Sequence, residues 1–231
     1  MTSKTDEETL KLEKKFISRL SSLSRKRGQR IEVLRQNKIC YNSVSSLCSG
    51  LGKSTKLSNL VLDLSENQIG KMLLGLNQGL CSGLGNCANL SNLAINLRQN
   101  EIYSNTLASL GTDLGNCKNL SNLTLNLSKN KIAQIYAGFY SGIGKCTKLS
   151  NFTLLLTENQ MNLEIPSGLC SGLGNCSNLL NLKLDLSQNQ MVKINEDLCS
   201  GLEKCTKLSN FILLLMQKQF IFLGLWFLEL K

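Results

Sequence analysis

One short text organises the whole chain. Leu-Ser-Asn-Leu returns at Leu57–Leu60, Leu90–Leu93, Leu120–Leu123, Leu149–Phe152, Leu179–Leu182 (Leu180 replacing Ser) and Leu208–Phe211, in steps of 33, 30, 29, 30 and 29 residues. Six copies at one near-constant period restrict the fold to architectures in which one small unit stacks on the next. Let the first leucine of each copy be position 0. Apolar residues then fall at +3, +5 and +7, as in Leu60, Leu62, Leu64 and again in Leu123, Leu125, Leu127. That alternation predicts a strand with one buried face. Asparagine follows at +10 (Asn67, Asn100, Asn130, Asn159, Asn189), and an apolar Ile or Met at +12.

The other half of the unit changes period. Leu80, Leu84 and Cys87, then Leu110, Leu114 and Cys117, stand at −10, −6 and −3, on one face of a helix. Glycines at −7 and −5, such as Gly83 and Gly85, weaken that helix by about 1 kcal/mol each relative to alanine, so it must be short. Neither half buries its apolar face alone. The expected fold is α/β: a solenoid with a parallel sheet on its concave face and short helices on its convex face.

Composition refines this. With 42% apolar residues over 231 positions, the chain can fill one continuous core. The net charge of +10 is uneven: residues 1–38 hold eleven Lys/Arg against five Asp/Glu, leaving +4 for the remaining 193. A basic arm of this kind could be drawn to nucleic acid or an acidic surface, although an ordinary solvated Lys/Arg face is the better reading. The opening Met1-Thr-Ser-Lys-Thr-Asp-Glu-Glu is polar and partly acidic, unlike a secretory leader. No uninterrupted apolar run reaches 18 residues, so no membrane span is expected. The reading is a cytoplasmic monomer, with the nucleus as the alternative.

The run Leu125-Asn-Leu-Ser-Lys-Asn-Lys-Ile132 resembles the strand-and-asparagine block of leucine-rich repeats. The period and the Gly-Leu-Gly-Asn-Cys helix resemble the ribonuclease-inhibitor-like subtype. The wording Leu-Gly-Asn-Cys-x-Asn-Leu-Ser-Asn-Leu is similar to arrays common in ciliate protists, some of them joined to protein kinase domains. The resemblance implies a structural ladder built from Asn67, Asn100, Asn130, Asn159 and Asn189. It also implies interaction with a protein or peptide partner. The domain reading is an N-terminal basic amphipathic helix or cap over 1–30, the array over 31–220, and a hydrophobic C-terminal cap or truncated repeat over 221–231. Arg27 and Arg30 stand where leucines belong in the first unit, and Lys218 where the last ladder asparagine would be, as expected of solenoid ends.

The chain has no histidine, which removes Ser-His-Asp and Cys-His nucleophile pairs and zinc sites that need imidazole. Without it there is no His-Arg-Asp loop, and no Asp-Phe-Gly occurs either. Catalysis, cofactor and metal are therefore not expected. Nine of ten cysteines fall in columns at −3 and −9, with no Cys-x-x-Cys. Separations of about 9 Å along a helix and about 8–10 Å between helices predict reduced, core-filling thiols. Side chains at +4, +6 and +8 should face away from the core. These lanes nominate Asp63, Asn96, Arg98, Thr124, Asn126, Thr153, Lys183 and Asp185 as partner-binding candidates. A protein–protein interaction scaffold is the leading expectation. A basic arm for nucleic acid and a regulatory fragment of a larger kinase-like protein are the alternatives.

Overall fold

The computed structural model describes residues 28–70, 79–161, 172–190, 202 and 204–215. The expected N-terminal helix, the apolar run Phe220 to Leu228, Cys170, Cys199 and Lys218 lie outside them. Among the described residues, no helix is long and apolar enough to cross a membrane.

Seven strands form one parallel sheet in chain order: β1 (Gln29–Val33), β2 (Asn59–Asp63), β3 (Asn92–Asn96), β4 (Asn122–Asn126), β5 (Asn151–Leu155), β6 (Asn181–Asp185) and β7 (Asn210–Leu214). The register is constant. Asn59 pairs with Asn92, Asn92 with Asn122, Asn122 with Asn151, Asn151 with Asn181 and Asn181 with Asn210. With the register constant, the side-chain period of two keeps each alternating lane on one face across all the strands. Leu60, Leu62 and Leu64 are buried, as are Leu123, Leu125 and Leu127. Each such leucine contributes roughly 1.5–3 kcal/mol before entropy is subtracted. One strand belongs to each repeat, and each pairs with the strand of the next. This is an α/β leucine-rich-repeat solenoid.

β1 begins two residues before the expected start of the array, and Arg30 and Glu32 occupy its inward positions. Arg30 Nε stands 2.7 Å from Glu32 Oε1, with both side chains largely buried. An ion pair thus replaces two leucines at this end. Such a pair adds little net stability, since desolvation offsets its attraction.

The convex half is less regular than the sequence pattern predicts. It holds α1 (Tyr41–Gly52), a 3₁₀ turn (Ser82–Asn86), α2 (Ser104–Leu114) and α3 (Ala137–Ile143). The −10, −6 and −3 columns are buried, yet Cys117 lies beyond the end of α2 and Leu80 before the 3₁₀ turn. Glycines bring neighbouring convex segments into backbone contact. A methyl on Gly115 would stand 2.3 Å from the Gly142 carbonyl oxygen, and one on Gly144 2.3 Å from that of Gly172. Bare backbone therefore packs on backbone, with no room for a side chain between. The eight described cysteines are free thiols. Burial pushes Cys87 and Cys146 up to about 11, and Cys117 and Cys176 up to about 12. Several thiols donate across the repeat boundary, Cys87 to Leu51 O and Cys146 to Leu114 O, both at 3.3 Å.

Candidate interaction surface

Where the chain leaves each strand it must bend sharply, and its backbone groups need partners. Asn130 supplies five. Its Oδ1 accepts from the Asn100 and Ile102 amides at 2.9 and 3.0 Å. Its Nδ2 donates to the Leu97, Leu127 and Ser128 carbonyls at 2.9, 2.8 and 3.2 Å. Asn67 and Asn189 repeat the set, Asn67 toward Leu34 O and Asn189 toward Leu156 O of the preceding unit. Asn100 and Asn159 donate likewise, to Leu64 O and Leu127 O. All five are buried. The residue just before each is left-handed: Glu66, Gln99, Lys129, Glu158 and Gln188 have φ between 56° and 58°. None is glycine, so each turn carries a conformational cost that the asparagine's bonds offset.

The open face of the sheet carries seven of the eight candidate residues. Thr124, Thr153 and Lys183 are register neighbours in one lane. Asp63, Asn96 and Asn126 run side by side in the next, which continues through Leu155 to Asp185. The second lane has a local duty as well. Asp63 Oδ1 accepts from the Ser65 amide at 3.0 Å, and Asn96, Asn126 and Asp185 accept equivalent bonds from Arg98, Ser128 and Ser187. These side chains are half-buried, with part of their polar capacity spent on the turn. Arg98 lies beyond the strand, in the turn itself. The +8 lane departs from expectation: Ser65, Ser128 and Ser187 are buried, because the turn has already folded them under.

Two features of this face were not assigned from sequence. The +2 asparagines form a row of amides bonded side chain to side chain. Asn92 Nδ2 donates to Asn59 Oδ1 and Asn122 Nδ2 to Asn92 Oδ1. Asn151, Asn181 and Asn210 continue the row at 2.5 Å each. The recurrence of asparagine at +2 was the available signal. The second feature is apolar. Ile31 and Val33 are 71% and 65% exposed, and Val61, the register partner of Ile31, is 42% exposed. At the other end Ile212 is 48% exposed.

Among the described residues, no group of three His, Cys, Asp or Glu side chains could hold a metal ion. The strand-to-helix edge is charged but internally paired. Arg35 meets Glu66 at 2.5 Å, Lys131 meets Glu101 at 2.7 Å, and Lys129 meets Glu158 at 3.3 Å. Hydrogen bonds from Gln36 and Arg35 lower the Glu66 pKa, and the bond to Glu101 raises that of Lys131.

Several solved leucine-rich-repeat structures are similar to the chain. One is the ectodomain of a plant membrane receptor kinase from Arabidopsis thaliana, in complex with Casparian strip integrity factor 2. It is 23% identical with a TM-score of 0.41, over 73% of this chain and 16% of that one. An internalin from Listeria monocytogenes is 20% identical with a TM-score of 0.36, over 73% of this chain and 45% of that one. A leucine-rich-repeat protein of Leptospira interrogans is 17% identical with a TM-score of 0.35, over 85% of this chain and 53% of that one. The chain thus spans less than half the length of the first two. No protein-family profile and no curated protein matches it.

Proposed function

We propose that the chain is a protein-interaction scaffold that takes a protein or peptide partner on the open, concave face of its sheet. The observation that carries this reading is the exposed apolar cluster of Ile31, Val33 and Val61 at one end of a face whose middle strands carry mainly polar side chains. Apolar side chains gathered on a surface mark contact sites, and a polar surround gives such a contact its specificity. Further along the same face, Thr124, Thr153, Lys183 and Asp185 supply donors and charges of both signs. The 29–30-residue steps that predominate in the array also support a ribonuclease-inhibitor-like reading of its subtype.

The test is recovery of partners from nuclease-treated lysate by tagged protein, with two surface variants run in parallel. One combines Lys183→Glu with Asp185→Lys, and the other combines Ile31→Asp with Val61→Asp. Discrete proteins retained by the parent at high salt, and lost by either variant with its thermal transition unchanged, are the expected result. Retention by both variants would move the contact off this face.

A further inference from the structure

The two edges of the sheet differ in how their charges are arranged. On the strand-to-helix edge, cations pair with carboxylates at three places. On the opposite edge, where each convex segment turns into the next strand, they do not. The six turns from −4 to +1 contain no Asp or Glu; the nearest in sequence is Glu203, one position earlier in the last unit. They contain Lys53, Lys145 and Lys204 at −4, Lys56, Lys148 and Lys207 at −1, and Lys118 at −2. All seven are exposed. None makes an ion pair among the described residues. Three of them donate to neutral oxygens: Lys118 Nζ to Gly115 O at 2.8 Å, Lys148 Nζ to Asn119 Oδ1 at 2.5 Å, and Lys207 Nζ to Asn178 Oδ1 at 2.7 Å.

The fold turns this sequence column into a line. Adjacent strands of a sheet stand about 4.8 Å apart, so six turns extend over roughly 24 Å. Seven like charges along such a line, without carboxylates among them, repel one another until a polyanion covers them. The shape of the line selects the polyanion. It is about two side chains wide, which suits a linear chain better than the plane of a membrane. It has no arginine, the side chain best fitted to fixed phosphate geometry. It has no aromatic side chain on which bases could stack; the exposed Tyr103 and Tyr136 lie in the segments leading from strand to helix.

We infer that this lysine edge is a docking strip for an extended acidic polypeptide segment, rich in Asp and Glu, on a partner protein. Lysines of the first, third, fourth and sixth units meet carboxylates of the extended segment, and the exposed, neutral Asn86 and Asn175 in the second and fifth units accommodate its backbone. The strip is separate from the concave face, so either site can fail without the other.

The test is fluorescence anisotropy of a labelled poly-glutamate peptide against the full chain. Combined Lys53→Gln, Lys56→Gln, Lys145→Gln and Lys148→Gln should weaken binding by about tenfold or more, with the salt dependence flattened. The same four positions changed to Arg should keep it. Neutralising the three paired cations of the other edge, Arg35, Lys129 and Lys131, should cost less than about threefold, since each already faces a carboxylate of its own. Equal loss from the two edges would overturn the strip and leave only net charge. No loss from the lysine-edge variant would also overturn it, and would assign binding to the basic N-terminal arm. Tighter binding of single-stranded oligothymidine or phosphatidylserine vesicles than of poly-glutamate, abolished by the same variant, would replace the acidic peptide with that ligand.

Discussion

Across the repeats, the strand half of each unit is constant and the convex half is not. Among the described residues, every strand is five residues long in one register, whereas the convex segments of the first four units run as helices of twelve, eleven and seven residues and a 3₁₀ turn of five. The difference lies in what holds each half. The turn after a strand is fixed by directional bonds from one asparagine to groups at set offsets. The convex segment is held by volume filling and by glycine backbones in contact, and a core can be filled by segments of different length. Directional bonds impose a copy; packing imposes only a limit.

Breaking a bonded position should therefore have the largest effect. Asn130→Ala removes five hydrogen bonds and leaves buried amides and carbonyls of two turns without partners. Each orphaned group costs about 1–3 kcal/mol, and part of the loss is recovered by water or local relaxation. The expected destabilisation is about 3–5 kcal/mol in urea denaturation, enough to uncouple the array at its centre. A loss below about 1 kcal/mol would mean that the turns hold their shape without the asparagine, and that the contrast between the halves is false.

The convex half should respond to sterics alone, and two glycines separate that from helix propensity. On Gly115, which packs on the Gly142 carbonyl, an added methyl has no room. Gly115→Ala should cost about 2–3 kcal/mol, because backbone cannot give way as a side-chain tip can. Gly50 has nothing within 4 Å of the position its methyl would take, and it lies within α1. Gly50→Ala should stabilise by up to about 1 kcal/mol. Opposite signs in thermal denaturation would show that backbone contact decides these columns. Equal signs would show that the glycines matter only through local conformation.

The same contrast explains how much could be read in advance. The strand register, the inward leucines and the asparagine column were all legible, because each is a residue type recurring at a fixed offset. The left-handed residue before each ladder asparagine was not. It falls on Glu, Gln and Lys, which carry no signal for positive φ. Helix lengths were illegible too, since the buried columns at −10, −6 and −3 are met equally by a helix or by a 3₁₀ turn. The +8 serines were misplaced because alternation was extended past the end of the strand, where the turn inverts it. For the candidate surface, sequence named the lanes. It could not show that Asp63, Asn96, Asn126 and Asp185 already accept a bond from their own turns.

Asp113 is where the convex half departs most from its column, and it offers the finest test. At −7 every other unit has glycine, but this one places a carboxyl group in the interior. Asp113 Oδ2 accepts one bond from the Cys81 amide at 2.9 Å, and a methyl on Gly79 would stand 2.1 Å from its Oδ1. Burial raises its pKa, with the Cys81 bond opposing. A carboxyl group raised in the folded state contributes fully below its unfolded pKa of about 3.9, and that contribution is lost as pH climbs through the folded value. Asp113→Asn keeps an acceptor for the Cys81 amide and carries no charge at any pH. At pH 7 the variant should be more stable than the parent, and the advantage should vanish near pH 3. An advantage that persists at low pH would point to shape instead of charge. A variant less stable at pH 7 would show that the ionised carboxylate strengthens the Cys81 bond by more than its burial costs, which would make one convex segment depend on a directional bond as the strand turns do.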